Sequence, residues 1–259
     1  MRKPLGLLCF RRGCMINGKR KMKRAVLFDL IGTLLVAKTT RPLSSLYEIL
    51  VKYGLKSSCE EFTTKWEADK SLPSQNNHTP FEERIARVAD KLRWKIDWKH
   101  IEVIANDICD EAATVLSVDA EAPNLIKRLK GKVKLGIVTN YDHPPAIYKI
   151  LSNTQLNNNF LVVKISGEIG IWKPDPKILY AAIEEMSLSA SDCIFVGDSS
   201  DDVEAAISAE IDPILISRNN DLLDPFRNLE KDLESKYSNL IKTQGLQIIR
   251  ELSEVEKFI

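Results

Sequence analysis

The sequence predicts an α/β protein: a mostly parallel sheet, interrupted after its first strand by an all-helical insert. Three observations lead there. Short, nearly continuous apolar runs bounded by turn signals occur at Ala25–Phe28, Val133–Val138, Leu161–Ile165 and Cys193–Val196, with Pro213–Ile216 a fifth. Segments of helical spacing (Pro144–Leu151, Lys177–Met186, Val203–Ala209) separate the later runs. Such alternation requires right-handed crossovers and a sheet buried on both faces. Finally, about a hundred residues divide the first run from the second, far more than one crossover uses.

Taken in order, residues 1–22 are expected to be a basic, disordered extension, arising from a start upstream of the true one, because Met15 and Met22 both precede the first strand. The short apolar stretch Pro4–Phe10 is followed by arginines, not the small residues of a cleavage site. The core is assigned to 23–38 and 117–259, and the insert to 39–116. Within the insert, apolar residues three and four apart predict helices over Leu43–Tyr53, Glu60–Lys70, Phe81–Leu92 and His100–Leu116, with Leu72–Pro80 a polar linker. Beyond Ser217, the pattern predicts a charged amphipathic helix over Leu222–Tyr237 and another over Leu246–Leu252, covering an edge of the sheet.

Composition narrows the function. The 259 residues are 44% hydrophobic and 28% charged, an ordinary globular balance. The first 24 residues hold nine Lys or Arg and no acid, so the remainder carries 28 basic against 36 acidic residues. An acidic body argues against a nucleic-acid-binding core. No apolar window reaches the roughly 20 residues of a membrane span. The five cysteines contain no CxxC pair and the three histidines are scattered, which suits reduced packing cysteines of a cytoplasmic protein rather than a zinc site. The expected partner is a small molecule, and the chain a monomer or homodimer.

Chemistry concentrates at the carboxyl ends of the predicted strands, where open α/β sheets bind ligands. The first ends in Asp29, within VLFDLIGTLL; the second in Thr139 and Asn140; Lys173 precedes Pro174 after the third; the fourth delivers Asp198 and then Asp202. An aspartate in such company is equipped to attack an electrophilic centre and form an ester. Converging carboxylates repel, so Asp29 and Asp198 require a divalent cation, and all-oxygen ligands favour Mg²⁺. Thr139 and backbone amides after Asp29 would hold phosphoryl oxygens, with Gly32 allowing the tight turn and Thr33 and Asn140 lining the substrate. Lys173 would hold the nucleophile and its anionic intermediate.

FDLIGTL, IVTN, KPDP and VGDSSDDVEAA together resemble the four ordered motifs of the haloacid dehalogenase-like (HAD) hydrolase superfamily, over about residues 24–217, and the insert resembles its helical C1-type cap. The resemblance implies a Rossmann-like core with Asp29 as nucleophile, Thr139 as the second-motif hydroxyl and Lys173 as the third-motif lysine. It also implies Mg²⁺ held by Asp29, Asp198 and the backbone carbonyl of Ile31, with Asp202 just outside the direct ligands.

One position departs from the pattern. Family phosphatases carry at position 31 an aspartate that protonates the leaving oxygen and activates water, and here Ile31 can do neither. Losing such a group typically removes about 10²–10⁴-fold in rate. A Mg²⁺-dependent phosphatase of substrates with good leaving groups is therefore the leading expectation, with a cap residue such as His78 as a possible substitute acid. A 2-haloacid dehalogenase, which needs no acid, is the alternative, with Arg41 as its carboxylate clamp; so is a catalytically weak metal- and phosphate-binding protein. Phosphonoacetaldehyde-hydrolase relatives also lack an acid there but need a cap lysine that this sequence does not mark. Trp66, Trp94 and Trp98 are expected to pack helices, and His143 to sit in a loop.

Overall fold

The computed structural model describes residues 15–16, 19–20, 22–39, 41–74, 76–154, 156–218 and 246–259. The first core strand, β1 (Ala25–Phe28), is buried along its whole length. A short strand β2 (Leu35–Ala37) leads out to four helices: α1 (Leu43–Lys52), α2 (Cys59–Glu67), α3 (Pro80–Lys91) and α4 (Trp98–Ala113). The return is β3 (Leu116–Val118), which pairs antiparallel with β2, so both crossings between core and insert are zipped into one ribbon. There follow α5 (Ala122–Leu129), β4 (Lys134–Thr139), α6 (Pro144–Asn153), β5 (Val162–Ile165), α7 (Ser166–Ile169), α8 (Lys177–Glu185) and β6 (Cys193–Gly197). The chain continues through α9 (Ser200–Ser208), β7 (Asp212–Ile216) and β8 (Gln247–Ile249).

Among the described residues, six strands form one parallel sheet in the order β8-β7-β6-β1-β4-β5. From β1 the chain builds outward through β4 and β5, then crosses to the other side for β6, β7 and β8. The reversal lies between β1 and its two neighbours, which is where such sheets open a crevice at their carboxyl ends. Apolar clusters cover both faces: Leu125, Ile126, Ile147 and Leu151 against one, Ile178, Leu179, Ala182 and Ala206 against the other. The doubly covered parallel sheet and the helical insert are those the sequence predicts.

Two elements differ. Leu246–Leu252 does not form a helix; Gln247–Ile249 is a sixth strand in register with Ile214–Ile216. Its Ile-Ile pair is as compatible with a strand as with a helix, and the exposed ladder of β7 decides. The last insert helix stops at Ala113, because Leu116 is drawn into the β2–β3 ribbon. The predicted helix Leu222–Tyr237 lies outside the described residues, as does most of the basic extension; the described part of the latter includes Met15–Ile16 paired antiparallel with Lys19–Arg20. Among the described residues no helix is long and apolar enough to cross a membrane.

The insert has its own core, where Leu50, Phe62, Trp66, Ile85, Ile101 and Ile104 meet. Its helices start at local caps: Ser58, Thr79 with Glu82 in a capping box, and Asp97 each accept an amide of the first turn. Tyr47, Phe62, Trp66 and Phe81 run in sequence at centroid spacings of 5.7, 5.6 and 6.0 Å, joining α1, α2 and α3. Phe62 is fully buried, so Phe62→Ala should cost about 3–5 kcal/mol, read as a lower urea midpoint.

The loop after β4 is the seam between core and insert. The Ser71 hydroxyl donates to the Asp142 carboxylate, the Phe81 amide donates to the Asp142 carbonyl at 3.1 Å, and the Tyr141 hydroxyl lies 3.8 Å from Cys109 Sγ. His143 is fully buried there, Nδ1 2.9 Å from Thr79 Oγ1 and Nε2 3.4 Å from Asn106 Oδ1. Burial holds its pKa below the ordinary 6.5, against the opposing pull of Glu82, Asp142 and Asp110. A histidine kept neutral only when folded contributes fully above about pH 6.5 and less as the pH falls below it. Urea midpoints taken downward from about pH 7.5 to 5 should therefore decline more steeply for the wild type than for His143→Gln. Equal slopes would remove His143 as the cause.

Candidate active site

The strand ladder carries Asp29 to the site. Its amide donates to the Val196 carbonyl at 2.8 Å, so pairing with β6 continues one residue past β1 and the side chain emerges at the carboxyl edge, only 5% exposed. Thr139 ends β4, buried, one strand over: Phe28 pairs with Ile137, so Thr139 lies just beyond the level of Asp29. Lys173 arrives on the loop after α7. Asn140 positions it, its side-chain amide donating to the Lys173 carbonyl at 3.0 Å and its oxygen accepting the Lys173 amide at 2.9 Å. Both ends of Asn140, expected at the substrate, are thus engaged with the main chain of Lys173.

The Lys173 ammonium donates to Asp29 Oδ1 at 2.6 Å, Asp202 Oδ1 at 2.6 Å and the Val138 carbonyl at 3.2 Å. That uses its three protons. Burial alone would lower its pKa; Asp29 and Asp202 outweigh this and hold it above the usual lysine range.

Asp202 is saturated. Besides Lys173 on Oδ1, its Oδ2 accepts the Asp198 amide (3.1 Å), the Ser199 amide (3.0 Å) and the Ser199 hydroxyl (2.6 Å). This is the capping box that starts α9. Gly197 is required beside it, since a Cβ there would lie 2.4 Å from Asp202 Cβ. Asp198 is more open: Thr33 Oγ1 donates to its Oδ1 at 3.0 Å.

One carboxylate oxygen from each of Asp29, Asp198 and Asp202 lies within 4.8 Å of the other two. Burial, and then the neighbouring carboxylates, push Asp198 up to about 7; burial pushes Asp29 up to about 6, with Lys173 pulling the other way. Clustered carboxylates with raised proton affinity are what a hard divalent cation would offset. The donor chemistry fits such an ion between Asp29 and Asp198, with Asp202 committed to Lys173 and the start of α9.

The loop between β1 and β2 closes the group. The Gly32 amide donates to the Leu35 carbonyl at 2.7 Å and the Leu35 amide to the Leu30 carbonyl at 2.8 Å, leaving the amide and carbonyl of Ile31 itself out of the pairing. The Ile31 side chain packs half-buried against the sheet's apolar cluster. Gly32 has φ +96°, and a Cβ on it would lie 2.1 Å from Asp198 Oδ2.

Other candidates sit elsewhere. Arg41 is ion-paired to Glu111 of α4. His78 stacks on Trp98 with centroids 3.8 Å apart and lies near Glu82 and Glu102, within the insert. Trp66 is buried in the insert core beneath Arg84, as its packing role predicts. Sequence reasoning missed Arg218, whose guanidinium reaches the Gly32 and Thr33 carbonyls; its one signal is its place two residues beyond β7.

The haloacid dehalogenase-like hydrolase family model matches residues 23–210. The chain belongs to the haloacid dehalogenase-like hydrolase family. This HAD-like hydrolase is 25% identical over 193 residues to a phosphoglycolate phosphatase of Yersinia pestis, covering 74% of this chain and 79% of that one. Its fold is shared with an HAD phosphatase from Thermococcus onnurineus (TM-score 0.57, 22% identity, 90% of this chain and 96% of that chain). It is shared equally with a 2-haloacid dehalogenase from Pseudomonas syringae (TM-score 0.60, 19% identity, 92% and 98%). The scaffold thus serves both chemistries, and the choice between them rests on site residues.

Two substitutions probe the geometry of this HAD-like hydrolase. Lys173→Met would leave Asp29 and Asp202 buried without their cation and should cost about 3–5 kcal/mol in chemical unfolding. Gly32→Ala should destabilise by more than about 1 kcal/mol in the same measurement, since both its φ and the Asp198 carboxylate resist a Cβ.

Proposed function

We propose that the protein is a Mg²⁺-dependent phosphatase acting through Asp29 on a small phosphorylated metabolite with a good leaving group. The observation that carries this reading is the cluster of buried Asp29, Asp202 and Lys173 with half-buried Asp198, whose carboxylates call for a cation and a phosphoryl group. Relatives named as phosphatases support the same class. The helical insert is read as the cap that selects the substrate.

The Asp29 carboxylate, oriented by Lys173, attacks phosphorus; the bond to the leaving oxygen breaks, and that oxygen departs with the electron pair. Mg²⁺, held by Asp29, Asp198 and the Ile31 carbonyl, would supply charge neutralisation for the phosphoryl oxygens. Thr139 and backbone amides after Asp29, such as that of Ile31, which the loop's own pairing leaves out, would bind those oxygens. Water then attacks the aspartyl phosphate, releasing phosphate and restoring Asp29. Ile31 donates no proton in the first half and accepts none in the second, so departure falls to the leaving group. Acyl and aryl phosphates meet that demand; an alkyl phosphate such as phosphoglycolate does not.

Halide displacement from a 2-haloacid is the second reading, favoured by the absence of an acid at Ile31. Against it stand the full carboxylate cluster and the engagement of Arg41 by Glu111.

Acetyl phosphate and p-nitrophenyl phosphate should be hydrolysed with Mg²⁺ and not with EDTA, and Asp29→Asn should abolish turnover. Activity unaffected by both treatments would sink the proposal, and halide release from 2-chloropropionate would favour the second reading. Ile31→Asp should raise kcat on alkyl phosphates by about 10²–10⁴-fold, with a far smaller gain on acetyl phosphate. Absence of any turnover alongside Mg²⁺ and phosphate binding would leave a metal- and phosphate-binding role.

A further inference from the structure

We propose that Arg218 is a positioning residue for this site, a guanidinium clamp that sets the Gly32–Thr33 loop against Asp198; this rests on reading the site as a Mg²⁺ centre. Arg218 stands at the carboxyl edge of the sheet, just past β7. Nη1 donates to the Gly32 carbonyl, Nη2 donates to the Thr33 carbonyl at 2.6 Å, and Nη2 lies 3.0 Å from Asp119 Oδ2. One acid neutralises the guanidinium while its planar fork spans two successive carbonyls, a geometry lysine cannot reproduce.

The contacts join three segments. Gly32 and Thr33 belong to the chain leaving the core for the insert, and Asp119 to the chain returning; the Asp119 amide also donates to the Leu34 carbonyl at 2.9 Å. Arg218 thus ties both necks of the insert to the sheet. The bonds inside the loop, from the Gly32, Leu34 and Leu35 amides, fold it on itself without setting its distance from Asp198. That distance matters on two counts. Thr33 Oγ1 holds Asp198 Oδ1 at 3.0 Å, and Gly32 sits so close that a Cβ would strike the Asp198 carboxylate. The carbonyl of Ile31 lies one residue earlier on the same loop. Without the clamp, the Gly32 and Thr33 carbonyls turn to water and the loop is free to swing away from the carboxylate it orients.

The test compares Arg218→Met and Arg218→Lys with the wild type and with Arg128→Met, which removes an arginine paired with Glu256 at the surface. Amide hydrogen exchange of the full chain without added metal, and Mg²⁺ binding by calorimetry, are measured for each. Arg218→Met should speed exchange about 10-fold in peptides spanning 30–36 and 116–121, leaving 193–197 unchanged. It should weaken Mg²⁺ binding about 10-fold, with Arg218→Lys recovering part of the loss. In a Thr33→Val background, Arg218→Met should add little further loss of Mg²⁺ affinity. Unchanged exchange in the loop overturns the clamp. Faster exchange with undiminished Mg²⁺ affinity overturns its role at the site and leaves a structural brace. A wild type that takes up no Mg²⁺ overturns the metal reading itself, a result separate from any difference among the variants.

Discussion

A single ammonium group, that of Lys173, is wedged between Asp29 and Asp202 in a nearly dry crevice, and the surroundings are arranged around that contact. Burying one charge costs several kcal/mol unless it is paired and fully hydrogen-bonded. Here the lysine meets two carboxylates and a carbonyl, and each carboxylate has further donors. The price is topological. Three strands must end side by side, and a loop 144 residues away from Asp29 must deliver its side chain to within 2.6 Å. The parallel sheet with its reversal at β1 supplies the first condition, and the two-bond grip of Asn140 on the backbone of Lys173 supplies the second.

Residues of one chemical type acquire different roles from their partners. Asp198 directly follows β6 and Asp202, four residues on, lies in the first turn of α9. Four donors occupy the two oxygens of Asp202, which makes it part of the helix start and of the lysine's cage. Among the described residues the Asp198 carboxylate accepts from Thr33 alone, and it keeps a face toward Asp29. The same logic explains how Ile31 is accommodated beside these carboxylates. Its side chain adds to the apolar cluster, and its backbone groups stay outside the β-bridge. An aliphatic side chain can thus serve the core while its own backbone groups remain outside the pairing.

The loop after β4 serves two masters. Its first residue, Asn140, holds Lys173, while Tyr141, Asp142 and His143 are held by Ser71, Thr79, Phe81, Asn106 and Cys109 of the insert. The β2–β3 ribbon makes the second junction between the two parts. Both junctions end within a residue or two of the site, so the packing of the insert and the geometry of the site share the same segments.

The sequence alone determined the architecture and the order of the motifs. Both follow from local physics: strands buried on two faces must be short and continuously apolar, amphipathic helices must space apolar residues three and four apart, and a charge at a strand end stands out against such a run. What only the tertiary structure decided involves partners with no side-chain signature. Gln247–Ile249 became a strand because β7 offered an unpaired ladder, and its own spacing suits a helix equally well. Asn140 and Arg218 spend their hydrogen bonds on main-chain groups 33 and 185–186 residues away. Every residue carries such groups, so no pattern along the chain marks the ones that folding will bring into reach.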